Sequence, residues 1–157
     1  MVAVDNAEIA RLITRYADLL EIDGANAFRV RAYRNAVRFL AGTAYDMARL
    51  VGEGRDLSEL PGIGKILAEK ITAIVRTGAL PQLAKLEERV PSGLADLMEL
   101  PGLGVKRVSL LYRQLGIEGP ADLDQAIQSG ALEQLPGFSG KTLERLREAL
   151  ASRGDTG

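Results

Sequence analysis

One short pattern occurs three times in this chain and limits what the chain can become. Leu60-Pro61-Gly62-Ile63-Gly64-Lys65 recurs forty residues later as Leu100-Pro101-Gly102-Leu103-Gly104-Val105, and an imperfect copy follows at Leu135-Pro136-Gly137-Phe138-Ser139-Gly140. Each copy is flanked on both sides by sequence with helical apolar spacing. In such a turn the proline breaks the first helix, and the glycines permit tight φ angles. Without Cβ atoms, another backbone can come close. The helix that follows presents its unpaired N–H groups outward, where they suit a phosphate.

Such a helix–hairpin–helix holds a nucleic-acid backbone without reading bases. The other classes of function are thinned by composition. The chain has no cysteine and no histidine, which removes thiolate chemistry, the commonest general base and the commonest metal ligand. Asp122 and Asp124 read as the start of a helix rather than as a metal pair. Gly140-Lys141-Thr142 hints at a nucleotide P-loop, but the glycine required five residues earlier is Leu135. With a net charge of −1, the chain cannot coat nucleic acid electrostatically, so affinity must come from local patches and oriented main-chain N–H groups. No apolar run approaches a membrane span and no signal-peptide core is visible, so the expected location is cytoplasmic and nucleoid-associated, with no membrane partner.

Helices are expected almost throughout, with no strand. Asp5 caps a first helix carrying Ile9, Leu12, Ile13, Tyr16, Leu19 and Leu20, and Gly24 ends it. Asn26 caps a second from Ala27 to Leu40, and a short one spans Tyr45 to Val51. The first hairpin covers about Asp56 to Arg76 and closes at Thr77-Gly78. Pro81 opens a helix to Glu88, Ser92 caps Gly93 to Glu99, and Gly116 ends the helix after the second hairpin. A helix from Ala121 to Ser129 leads to the third hairpin and a last helix from Gly140 to Ala151. Residues 152–157 are expected to be a disordered tail, whose Arg-Gly-Asp triplet reads as chance.

The second helix carries Arg29, Arg31, Arg34 and Arg38, with no acid between Asp23 and Asp46. At helical pitch Arg31, Arg34 and Arg38 fall within about 60° of one another. This stripe is either a solvated face or a phosphate-contacting strip, the latter favoured because acids are missing from the i,i+4 positions. Phe28, Ala32, Tyr33, Ala36, Val37, Phe39 and Leu40 fill the remaining arc and are expected to face the core. Arg29 points into that apolar arc, which marks it as the more specific ligand. In the helix after the first hairpin, Ile66, Leu67, Ile71, Ala73 and Ile74 define the expected buried arc, with Lys65, Glu69, Thr72 and Arg76 opposite. Lys70 falls inside the apolar arc. Burial disfavours a charged amine, and an uncharged amine is a nucleophile able to form a Schiff base with a sugar aldehyde. The alternative is a lysine that snorkels to water.

The run Asn26-Ala27-Phe28-Arg29-Val30-Arg31-Ala32-Tyr33-Arg34-Asn35-Ala36, with Leu60 to Ile71 and Thr77-Gly78, resembles the N-terminal lyase domain of X-family DNA polymerases, the bacterial branch above all. Leu100 to Arg107 and Leu115-Gly116-Ile117 resemble the fingers subdomain that follows there. Gly137 to Thr142 resembles the next segment, with Ser139 in place of a second glycine. The resemblance covers about Asn6 to Leu150. It implies an all-α fold: a DNA polymerase beta-like N-terminal helical domain over residues 1–80, then a helix-hairpin-helix fingers-like subdomain over residues 81–151.

By the same resemblance the Schiff-base lysine falls on Lys70, and the 5′-phosphate pocket takes Arg29, Tyr33 and Arg34. A phosphate-binding lysine of the family becomes Ile66, with Lys65 beside it; another falls on Gln82, near Lys85; a histidine becomes Phe28. Backbone phosphates are expected at Gly62 and Gly64 and at Gly102, Gly104 and Lys106. The family's hairpins also bind Na+ or K+ through loop carbonyls, here Ser58, Leu60 and Ile63, and Met98, Leu100 and Leu103; no other cofactor is required. The implied partner is DNA that is gapped, nicked or 5′-phosphorylated, bound without sequence preference, with lyase activity on 5′-deoxyribose-phosphate or abasic sites through Lys70. Polymerase activity is not expected of this chain alone, because the metal-binding aspartates of the palm and the phosphoesterase domain have no counterpart in it. The alternatives are a non-catalytic scaffold whose hairpins only build a helical core, or a protein-docking module of a repair or recombination complex.

Overall fold

Asp5 accepts a hydrogen bond from the Glu8 N–H at 2.8 Å and opens α1 (Asn6–Ile22); Asn26 does the same for the Phe28 N–H and opens α2 (Ala27–Gly42). Each side chain satisfies an N–H that a helix start leaves unpaired. α3 (Met47–Gly52) begins two residues later than its apolar pattern suggested, because Asp46 is the cap, accepting from Ala48 N–H. The computed structural model describes residues 4–138 and 140–156. Among these, every regular element is helical, and no helix is long and apolar enough to cross a membrane.

The chain forms two compact units, Met1–Leu86 and Glu87–Gly157. In the first, α1 and α2 pack along one another and bury Ile9, Ile13, Tyr16 and Leu20 with Val30, Tyr33, Ala36 and Leu40. A one-turn 3-10 helix (Leu57–Glu59) leads into the first hairpin, followed by α4 (Lys65–Thr77) and α5 (Pro81–Arg89). Asp56 caps that turn through the Ser58 N–H and hydroxyl, bonds that hold its carboxyl below the usual carboxylate range. Ile71 and Ile74 of α4 are fully buried, each contributing about 2 kcal/mol of apolar burial. That packing fixes the hairpin's second helix. The unit boundary falls inside α5.

The second unit contains α6 (Gly93–Met98), α7 (Val105–Leu115), α8 (Pro120–Ser129), a 3-10 turn (Ala131–Gln134) and α9 (Gly140–Thr156) around Leu94, Leu97, Val108, Leu111, Leu123, Leu132 and Leu146. Two expectations fail here. Ser92 makes no side-chain capping bond, because its φ of −63° and ψ of −28° are already helical; the Leu94 N–H goes instead to the Pro91 carbonyl. The final helix does not stop at Ala151 before a disordered tail but continues to Thr156. Arg153 pairs with Asp96 at 3.5 Å and ties that last turn to α6. Gly157 lies outside the described residues, as does Ser139 of the third hairpin.

Candidate nucleic-acid interface

In the first two hairpins the turns are built alike. The Ile63 N–H donates to the Leu60 carbonyl at 3.2 Å and the Leu103 N–H to the Leu100 carbonyl at 3.1 Å. Proline occupies the second position of each turn, and the third needs a left-handed residue: Gly62 has φ +86° and Gly102 φ +83°. Those glycines are required by the fold. The next glycines are not. Gly64 (φ −81°, ψ 175°) and Gly104 (φ −87°, ψ 176°) have extended conformations open to any residue, and a Cβ on either would meet nothing within 4 Å.

These two glycines are also the N-caps of α4 and α7, and neither helix has a side-chain capping bond. The first intrahelical acceptors engage the Ala68 and Val108 N–H groups. The N–H groups of residues 65–67 and 105–107 therefore have no intrahelical acceptor, and the space beside Gly64 and Gly104 is open. Elsewhere the chain caps such groups with Asp5, Asn26, Asp46 and Asp56. Lys65 and Lys106, both exposed, sit beside these free donors.

Beside the first hairpin lies a cleft of about 790 Å³, walled by Arg29, Tyr33 and Asn35 of α2, Gly62 and Gly64 of the turn, and Lys65, Ile66 and Lys70 of α4. Lys70 is buried, 9% exposed, as its place on the helix predicted. Its Nζ lies 5.7 Å from the ring centre of Tyr16, and Tyr33 packs edge-on against the same ring at 5.2 Å. Arg29 is an exposed residue, but its Nη2 donates to the Tyr16 hydroxyl at 3.0 Å in a part-buried bond. Tyr16 thus joins three of the expected site residues. Sequence reasoning placed it only in the core, because its apolar spacing says nothing of its hydroxyl.

Arg34 does not line this cleft. It donates to Asp18 at 2.9 Å and to Glu21 at 3.1 Å, both on α1. Burial works against its charge, but the bonds to Asp18 and Glu21 outweigh that and raise its pKa. The rest of the arginine stripe is partnered too: Arg38 bonds Asn35, and Arg31 lies over the Phe28 ring at 5.8 Å. Phe28 (77% exposed) and Ile66 (66%) are not in the core, as the helical wheels had them. Both occupy first turns, which overhang the packed part of their helices. Ala32 is likewise exposed.

In the second unit, Gly102 and Gly104 are exposed and Lys106 follows on α7. Gly137 of the third hairpin has φ +88°, repeating the left-handed turn residue. Arg107, to which the sequence reading gave no role, donates from Nη1 to the Gly102 carbonyl at 2.7 Å and lies over the Phe138 ring at 5.9 Å. Among the described residues no group of three or more His, Cys, Asp or Glu side chains is placed to hold a metal ion.

Residues 4–80 match the helix-hairpin-helix domain, and residues 94–152 match the SAM-like helix-hairpin-helix tandem. The DNA polymerase/3′-5′ exonuclease PolX of Bacillus subtilis (strain 168) is 34% identical over 147 residues, 94% of this chain. The chain spans 25% of that relative's length, in its N-terminal part. Two repeated hairpins with uncapped helices and these matches agree: the chain belongs to the helix-hairpin-helix proteins, in the form found at the N-terminal end of X-family DNA polymerases.

Proposed function

We propose that this chain binds DNA through its sugar-phosphate backbone, at gaps, nicks or 5′-phosphorylated ends, as a repair module. The observation that carries this reading is the pair Gly64 and Gly104, where glycine serves neither turn geometry nor packing. A missing Cβ beside unpaired helix N–H groups suits a backbone arriving from outside. In the cleft, Arg29, Tyr33 and Lys65 would surround a terminal phosphate. Arg34, already held by two carboxylates, fixes α2 against α1 instead.

The test is a titration of one-nucleotide-gapped duplex at several salt concentrations. Affinity is expected to fall steeply with salt, with a slope of about −0.9 per phosphate engaged, and to be indifferent to base sequence. A flat salt response would refute the reading and favour protein docking, for which exposed Phe28 and Ile66 would then be the surface. The carbonyls of Ser58, Leu60 and Ile63, and of Met98, Leu100 and Leu103, are neutral oxygen donors suited to Na+ or K+; Leu60 and Leu100 each keep a second lone pair after accepting the turn N–H. Such an ion would add positive charge beside the phosphate. Replacing K+ by tetramethylammonium at constant ionic strength should then weaken binding in the same titration.

Lys70 extends the proposal to chemistry. Its amine would add to the C1′ aldehyde of a ring-opened abasic sugar and lose water to form an iminium. Transfer of a C2′ proton to water then makes the C2′–C3′ double bond and expels the 3′ phosphate oxygen with the C3′–O electron pair, and hydrolysis of the iminium later releases the lysine. Borohydride should trap the protein on DNA carrying a 5′-deoxyribose phosphate. Lys70→Ala should lose at least about tenfold of that trapping. Equal trapping by both proteins would rule Lys70 out.

A further inference from the structure

We propose that Arg107 is a positioning residue through which the third hairpin braces the second, so that the imperfect third copy serves as a strut for the phosphate grip of its neighbour. The inference rests on the DNA-binding reading above. Arg107 sits half-buried in the first turn of α7. Its guanidinium carbon lies over the ring of the buried Phe138, 5.9 Å from the ring centre. Its Nη1 holds the Gly102 carbonyl at 2.7 Å. A Cβ on Gly137 would lie 3.8 Å from its Nε, so the turn of the third hairpin passes directly beside it.

What this fixes is the peptide joining Gly102 to Leu103. Its N–H, on Leu103, donates back to Leu100 at 3.1 Å, and its carbonyl, on Gly102, accepts from Arg107. Pinned at both ends, that peptide cannot flip, and it leads directly into Gly104, behind which the free N–H groups of α7 emerge. A planar guanidinium can rest on a ring and donate to a carbonyl at once. A lysine ammonium keeps the charge but not both contacts.

Two conservative variants separate this role from others. Arg107→Lys and Phe138→Leu should each weaken binding of gapped duplex by about three- to fivefold, the scale of one cation–π contact. The double variant should lose no more than either single one, because both break the same brace. Arg107→Lys should leave the melting temperature within about 3 °C of wild type, whereas Phe138→Leu, at a buried ring, should lower it by about 5 °C. Variants that bind like the wild type would overturn the proposal, and so would losses that add or that merely track melting temperature. A DNA-free measurement keeps the two readings apart. Phe138→Leu should shift the backbone amide resonances of Leu103 and Gly104 in the other hairpin. If those amides move but the wild-type protein binds no DNA, the brace stands and the DNA reading falls; if they stay, the brace falls whatever the DNA result.

Discussion

Gly64→Asp and Gly104→Asp are expected to leave the protein at least as stable as wild type while removing most of its affinity for gapped DNA. The backbone is ready for an aspartate: Gly64 has φ −81° and ψ 175°, and Asp5, which caps α1, has φ −89° and ψ 171°. Nothing within 4 Å of a Cβ obstructs the side chain. The carboxylate would accept from the first-turn N–H groups, as Asp5, Asp46 and Asp56 do elsewhere, and contribute a few tenths of a kcal/mol over glycine. It would also sit where a phosphate is proposed to sit, using its donors and repelling its charge. Each variant should lose about tenfold or more in affinity, and the pair more. Fluorescence anisotropy with a gapped duplex and a thermal melt read the two effects separately. Unchanged binding in the double variant would mean that the helix ends are not the contact.

The largest stability effect is expected at a glycine that no ligand touches. A Cβ on Gly93 would stand 2.2 Å from the Glu118 carbonyl oxygen and 2.8 Å from the Gly119 Cα, both main chain. Neither can swing away as a side chain would. The start of α6 and the extended lead into α8 cross here through two glycines, Gly119 having φ −177°. Gly93→Ala gains up to about 1 kcal/mol of helix propensity but must push a backbone aside, at a cost of about 3 kcal/mol or more. The net loss of about 2 kcal/mol should lower the melting transition of the second unit by about 10 °C. Gly42→Ala, at the end of α2 with nothing within 4 Å, is the control and should melt no lower than wild type. If Gly93→Ala melts with the control, the crossing is looser than described.

Much of this molecule is legible in its sequence. Asp5 and Asn26 were readable as caps because capping is local chemistry, decided within three residues. The burial of Lys70 followed from helical spacing alone. The failures share a cause. The arginine stripe looked unpartnered because the partners of Arg34 lie 13 and 16 residues away on another helix, and i,i+4 counting sees only one. Phe28 and Ile66 were assigned to the core because a helical wheel gives direction but not height, and both sit in overhanging first turns. Tyr16 and Arg107 were invisible as site residues for a third reason. Each acts by joining segments that the sequence leaves apart: Tyr16 with Arg29 and Lys70, Arg107 with Gly102 and Phe138.

The uncapped starts of α4 and α7 have a consequence for what such a surface can respond to. Peptide groups do not ionise in the physiological range and have no rotamers to freeze. A holdfast made of them is therefore always switched on, and the chain has no histidine with which to make it otherwise. Only Lys65 and Lys106 need stand beside them as bases. On the proposed reading, that is how a chain with slightly more acids than bases would still offer an anion two ready seats.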